Sequence, residues 1–155
     1  MAGKIDARLQ ELDITLPAPA GAAGSYVPYV RTGNLVFVSG QITVLDGEIQ
    51  YTGTVGRDVD VDTAYQAARL CGLNLLAQLK AALDGDLDRV TRVVKLGGFV
   101  ACAADFTDHP KVINGASDLM AEIFGAAGQH ARFAVGAPSL PLGIPVEVDG
   151  VFEVV

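Results

Sequence analysis

The chain has few of the residues that metal and cofactor chemistry needs. Of its 155 residues only two are histidine and two are cysteine. His109 and His130 fit no HxH, HxxxH or HExxH spacing, neither is joined to a cysteine at ligand spacing, and Cys71 and Cys102 form no CxxC. A metal-ligand set is therefore not expected. Both thiols fall in stretches that read as buried helix and strand, the usual state of free, reduced cysteine in a cytoplasmic protein. No GxGxxG, GxxxxGKS/T or GxSxG is present, so neither a nucleotide loop nor a serine-nucleophile elbow is expected. No apolar run approaches the roughly 18 to 20 residues that cross a bilayer, and the charges in MAGKIDARLQELDI, Met1 to Ile14, break the apolar stretch an export signal requires. Basic clusters are missing as well. Eleven Lys and Arg stand against eighteen Asp and Glu, a net charge of −7, and without clustered cations counterion release cannot drive binding to phosphate backbones. These absences predict a cytoplasmic protein without metal or cofactor, bound to neither membrane nor nucleic acid.

What the chain has in quantity is apolar side chain. Half of its residues are hydrophobic and only 19% are charged. The length suits one domain over 1–155 with a single core. With no membrane span to absorb the apolar surplus, a subunit interface is its expected outlet.

Patterning gives the order of elements. Ile5, Leu9 and Leu12 at helical spacing predict a short amphipathic helix within an N-terminal appendage, 1–20. Tyr26 to Arg31 and Leu35 to Ser39 read as a hairpin turning at Thr32-Gly33-Asn34. Val44 to Gly56 reads as loop with one short strand near Ile49 to Tyr51. Asp60 or Asp62 caps a long helix carrying Ala64, Ala67, Ala68, Cys71, Leu75, Leu76, Leu79 and Leu83, with Gly72 marking a close approach. Arg89 to Cys102 reads as a strand with Val94, Leu96, Val100 and Cys102 on one face and a bulge at Gly97-Gly98. A second helix opens near Asp108-Pro110 and closes at Gly125. Two strands, around Arg132 and around Glu147, finish the chain. Helices segregated from strands in this order predict a two-layer α+β domain, a mixed sheet with two main helices on one face.

Arg132 and Glu147 are charges inside strands that otherwise read as apolar. If the two strands pair antiparallel, the side chains can approach each other or a common cleft. One reading is a cross-strand salt bridge worth under about 1 kcal/mol when exposed. The other is chemical: a guanidinium holds a carboxylate through two parallel hydrogen bonds, and a sheltered carboxylate can hold a water and take its proton. Tyr26 stands ahead of the first hairpin as a third candidate.

The run SYVPYVRTGNLVFVSGQI at Ser25 to Ile42, the acid-capped long helix, and HAR…LP…VEVD at His130 to Asp149 together resemble the RidA (YjgF) family of enamine/imine deaminases. That resemblance implies a chorismate-mutase-like α+β fold, a homotrimer whose sheets form a central barrel, and sites between subunits. It implies cofactor-free hydrolysis of reactive 2-imino acids and their enamine tautomers to 2-oxo acids and ammonia. Arg132 would clamp the substrate carboxylate and Glu147 would position water. Tyr26, Ser39, Gly40 and the backbone at Ala134 would line the cleft. His130 stands where archetypal members have proline. Asn114 lies about a turn ahead of their second-helix asparagine, at whose position Ser117 stands. Two other functions fit the same resemblance: a small-carboxylate-binding or regulatory trimer without turnover, and an RNA-binding translation inhibitor or endoribonuclease, which the acidic balance disfavours.

Overall fold

A computed structural model describes residues 3–155; the first two residues of the expected appendage lie outside the described residues. In chain order the elements are α1 (Lys4–Glu11), β1 (Tyr29–Thr32), β2 (Leu35–Gln41), β3 (Val44–Leu45), β4 (Glu48–Ile49), α2 (Val61–Ala82), β5 (Val90–Ala101), α3 (His109–Phe124), β6 (Ala131–Ala137) and β7 (Val146–Val154). Five strands form one sheet in the order β1-β2-β7-β5-β6. All neighbours are antiparallel except β5 and β6. The sheet is mixed and α2 and α3 cover one face of it, the α+β layer expected.

The last two strands do not pair. β5 lies between β6 and β7, because the chain returns from β5 through α3, and a helical crossover delivers the next strand parallel to the first. With β6 on the outer side of β5, the remaining side takes β7 antiparallel.

The buried face of α2 follows from its sequence. Asp60 caps it, accepting a hydrogen bond from the Thr63 amide at 2.7 Å. Ala64, Ala67, Ala68, Cys71, Leu75, Leu76 and Leu79 are all fully buried. α3 presents Val112, Ile113, Ala116, Leu119, Met120 and Ile123, and the sheet answers with Val36, Val38, Leu96, Val100, Val148 and Phe152. Each of the valine, leucine, isoleucine, methionine and phenylalanine side chains among them contributes on the order of 1.5–3 kcal/mol on burial. The helices meet through glycine: a methyl group on Gly72 would lie 2.9 Å from Leu119 Cδ2, and one on Gly115 would run into the Tyr65 carbonyl. Tyr65 also donates to Asp118 Oδ2 at 2.6 Å across the same contact, which pushes its phenol up to about 12.

Four local expectations need correction. In β5 the buried residue is Val93, not Val94, because the register shifts between Val93 and Lys95. No bulge occurs at Gly97-Gly98. Both pair in register, and their missing side chains admit others: added methyl groups would lie 2.5 Å from Phe133 Cζ and 2.6 Å from Ile113 Cδ1. The segment after β2 is a small hairpin, β3–β4, rather than loop with a strand at 49–51. Its turn residues Asp46 and Gly47 both have positive φ, 52° and 82°, as a two-residue hairpin turn demands. The first strand begins at Tyr29 and not Tyr26; Pro28 has no N–H to give a ladder, and only its carbonyl bonds, to the Ser39 amide at 2.9 Å.

α1 docks through a borrowed cap. Asp88 accepts from the Lys4 and Ile5 amides at 2.8 and 2.7 Å, satisfying orphan donors at the helix start. These amide bonds, that to Ile5 foremost, hold the Asp88 carboxyl below its usual range. Ile5 and Leu9 point into the core.

The face away from the helices is exposed and apolar. Cross-strand partners share a face, so the register defines its rows: Val30, Phe37 and Val151; Gly97, Asp149 and Phe133; Phe99, Glu147 and Val135. Val30, Phe37, Phe99 and Val135 are between 41% and 52% exposed, large apolar side chains interspersed with Glu147 and Asp149 on a face of the kind that marks an interaction site.

Candidate active site

The expected site residues fall into two groups on opposite faces of the sheet. Arg132 is in register with Leu96, whose side chain is buried under the helices, while Glu147 is in register with Phe99 on the exposed face. One chain therefore cannot form the Arg132–Glu147 salt bridge, and it cannot place both side chains in one cleft. The reason is the intervening β5 together with period-two alternation, which sends the two charges to opposite sides.

The first group surrounds Glu147. Tyr26, Ser39, Gly40 and Glu147 line one cavity of about 430 Å³, with Ala20 to Ala23, Pro28, Ile42, Val44, Gln78, Pro141 and Leu142. Gly40 lies in the register break between Val38 and Gln41, and it must be glycine for the carboxylate to stand where it does. A methyl group there would lie 2.5 Å from Glu147 Oε1. Ser39 is turned away from the cavity chemistry, its hydroxyl donating to the Val27 carbonyl at 2.7 Å. That bond ties down the chain leading from Tyr26, whose own hydroxyl oxygen accepts from the Ala23 amide at 3.4 Å.

α2 secures the far walls. Buried Gln78 donates to the Ala20 carbonyl at 2.6 Å, and Asn74 donates to the carbonyls of Ile42 and Val44 at 3.0 and 2.8 Å. Sequence reading missed Gln78 in the wall and Asn74 behind it; an asparagine and a glutamine one turn apart on an apolar helix face were the available signal.

Glu147 is half-buried, and among the described residues no hydrogen bond reaches its carboxylate. Burial first, and the neighbouring Asp149 charge second, raise it above the usual carboxylate range. A half-dry carboxylate with free acceptor positions is suited to holding a water and accepting its proton.

The second group surrounds Arg132 at the outer edge of the sheet. Nη1 donates to Asn114 Oδ1 at 2.8 Å and to Ser117 Oγ at 3.1 Å, both on α3. Nη2 approaches the Pro110 carbonyl at 3.5 Å. Ser117 Oγ also lies 2.9 Å from His130 Nε2, and His130 Nδ1 lies 2.6 Å from the Gly128 carbonyl. Ala134, one alternation along β6, packs against the core beside Gly98. Asn114, Ser117 and His130, noted in the sequence as departures, thus converge on the arginine.

Among the described residues no cluster of three or more metal-ligating side chains occurs, and no helix is long and apolar enough to cross a membrane.

The architecture is that of a small α+β domain with one helical layer and a pocketed, uncovered sheet. Residues 6–150 match the family described as "YjgF/chorismate mutase-like, putative endoribonuclease", and the chain belongs to that family. Protein TCP17 of Trypanosoma cruzi is 48% identical over 152 residues, covering 97% of this chain and 94% of that protein. The 2-iminobutanoate/2-iminopropanoate deaminase of Dermatophagoides farinae is 29% identical over 140 residues, covering 89% and 92%. Among solved structures, an Agrobacterium tumefaciens protein described as of unknown function superposes with a TM-score of 0.91 at 52% identity, covering 97% of this chain and 92% of that one. Escherichia coli TdcF with bound serine superposes with a TM-score of 0.61 at 26% identity, covering 90% and 94%.

Proposed function

We propose that the protein hydrolyses 2-imino acids and their enamine tautomers to 2-oxo acids and ammonia, at sites that two copies of the chain build together in a homotrimer. The observation that carries the reading is the split site: Arg132 on the helix side of an edge strand, and Glu147 in a cavity and in register with Phe99 on the exposed face. A second copy seated on that face can bring its Arg132 to the first copy's Glu147, and covering the face removes Val30, Phe37, Phe99 and Val135 from water. The family relationship to a named imine deaminase and to a serine-bound structure supports a small amino- or oxo-acid ligand. The net charge of −7 supports the same choice over RNA.

In this reading Arg132 takes the substrate carboxylate in a two-point grip and so fixes the imine carbon. Glu147 orients a water and accepts its proton as the oxygen adds to that carbon. The electrophile is the N-protonated imine, so the electron pair of the C=N bond moves to a cationic nitrogen and leaves it a neutral amine. Glu147 returns its proton to the nitrogen of the tetrahedral adduct, and as the C–N bond breaks and ammonia leaves, the adduct hydroxyl gives its proton to Glu147 and the C=O bond forms. Tyr26, Ser39, Gly40 and the Ala134 backbone shape the space around the adduct.

A trimer that binds 2-oxo acids without turnover is the competing reading. The test generates imines in situ with an amino-acid oxidase and follows 2-oxo acid release by wild type, Arg132→Ala and Glu147→Gln. Acceleration by wild type that both variants lose is expected; saturable 2-oxo acid binding with no acceleration over solvent would favour the binding module.

A further inference from the structure

We propose that His130 and Ser117 form a positioning pair for Arg132, a two-residue relay that fixes which edge of the guanidinium faces the substrate. The proposal rests on the reading of Arg132 as the carboxylate clamp. It begins from a hydrogen-bond order that admits one arrangement for the neutral ring. The Gly128 carbonyl can only accept, so the His130 ring nitrogen 2.6 Å away, Nδ1, carries the proton. Nε2 is then an acceptor, and the Ser117 hydroxyl 2.9 Å away donates to it. With its hydrogen committed, Ser117 Oγ is left as an acceptor for Arg132 Nη1 at 3.1 Å. Asn114 Oδ1 takes the other Nη1 hydrogen at 2.8 Å.

The consequence is geometric. Both Nη1 hydrogens are held by α3, so the free edge of the guanidinium is the one formed by Nε and Nη2. Among the described residues that edge meets one acceptor, the Pro110 carbonyl, at a long 3.5 Å. A planar carboxylate is gripped by two parallel N–H groups, and Nε–H with the neighbouring Nη2–H supplies such a pair. Without the imidazole acceptor, the Ser117 hydroxyl is free to turn its hydrogen toward the guanidinium, and Nη1 loses a partner. His130 touches no substrate in this account; it acts through Ser117 on Arg132.

The test compares four variants by the Kd for a 2-oxo acid, by KM and kcat in the coupled imine assay, and by thermal melting. His130→Gln can set its amide oxygen where Nε2 stands, whereas His130→Asn can reach Gly128 but not Ser117. Loss of one hydrogen bond to a charged group weakens binding by about tenfold. Ser117→Ala and His130→Asn are therefore expected to raise Kd and KM about tenfold with kcat little changed, and His130→Gln is expected to bind as wild type does. Arg132→Ala is expected to abolish binding. If Arg132→Ala abolishes it while Ser117→Ala and His130→Asn bind normally, the relay is overturned and the clamp reading stands. If Arg132→Ala binds normally, the clamp reading itself fails. A readout independent of variant folding is the ¹⁵N spectrum of wild-type imidazole nitrogens: His130 protonated at Nδ1 alone supports the relay, and His130 protonated at Nε2, alone or together with Nδ1, overturns it.

Discussion

Gly40→Ala separates geometry from stability. An alanine Cβ at this position would stand 2.5 Å from Glu147 Oε1, 3.1 Å from Cδ and 3.2 Å from Cγ, where ordinary contact begins at 3.4 Å. The carboxylate must retreat by the difference, about 0.9 Å, a displacement that at a reacting centre costs on the order of 10²-fold in rate. The backbone itself accepts alanine, since Gly40 is not among the positive-φ glycines, and the group that must move is the far end of a flexible side chain. Stability should therefore change by less than about 1 kcal/mol. The coupled imine assay on Gly40→Ala is expected to show kcat lowered about a hundredfold, with 2-oxo acid affinity nearly retained and a melting temperature close to that of wild type. Wild-type kcat in a correctly folded Gly40→Ala protein would refute the assignment of Glu147 as the group that positions water.

The exposed sheet face gives a second expectation. Phe37→Lys places a charge on the surface that a second copy would cover, so light scattering should report a single-chain mass while circular dichroism keeps the wild-type α+β signature. Gly115→Ala forces a methyl group into the Tyr65 carbonyl, and neither backbone can yield cheaply; urea unfolding should show a loss of about 3 kcal/mol, the upper part of the range for overpacking. Asp149→Asn removes a negative charge that raises Glu147. Glu147 then gives up its proton at lower pH, and the acid limb of the kcat/KM profile should move down in pH relative to wild type.

Most of the fold was readable because its elements declare themselves locally. The acid cap and three- and four-residue apolar spacing of α2, the Pro110 opening of α3 and the Gly33 turn all act within a few residues. What did not follow from local pattern was pairing. Whether β6 meets β7 or β5 depends on where the α3 crossover returns the chain, and no residue of either strand records that. The shift between Val93 and Lys95 was hidden for a related reason: Val93 and Val94 are chemically alike, so alternation alone cannot choose the buried one, whereas the glycines at 97 and 98 drew attention for a bulge they do not make.

The candidate site was readable as chemistry and not as geometry. Two charges in apolar strands identified Arg132 and Glu147, but their division between the two faces of the sheet emerges only once β5 is seen to lie between them. The polar residues that hold Arg132 come from α3 and from the approach to β6. Asn114 and Ser117 lie three residues apart on one side of a helix, a spacing that was available in the sequence but had no partner until β6 was placed beside α3.

The division of the site makes one measurement decisive: subunit complementation. Arg132→Ala chains keep Glu147 and Glu147→Gln chains keep Arg132. Each variant alone is expected to be inactive toward imines. After the two are unfolded together in equal amounts and reassembled, a neighbouring pair supplies both intact residues at about one quarter of the shared sites, so about that fraction of wild-type imine hydrolysis should return. A mixture as inactive as its components would contradict a site built by Arg132 of one copy and Glu147 of the next.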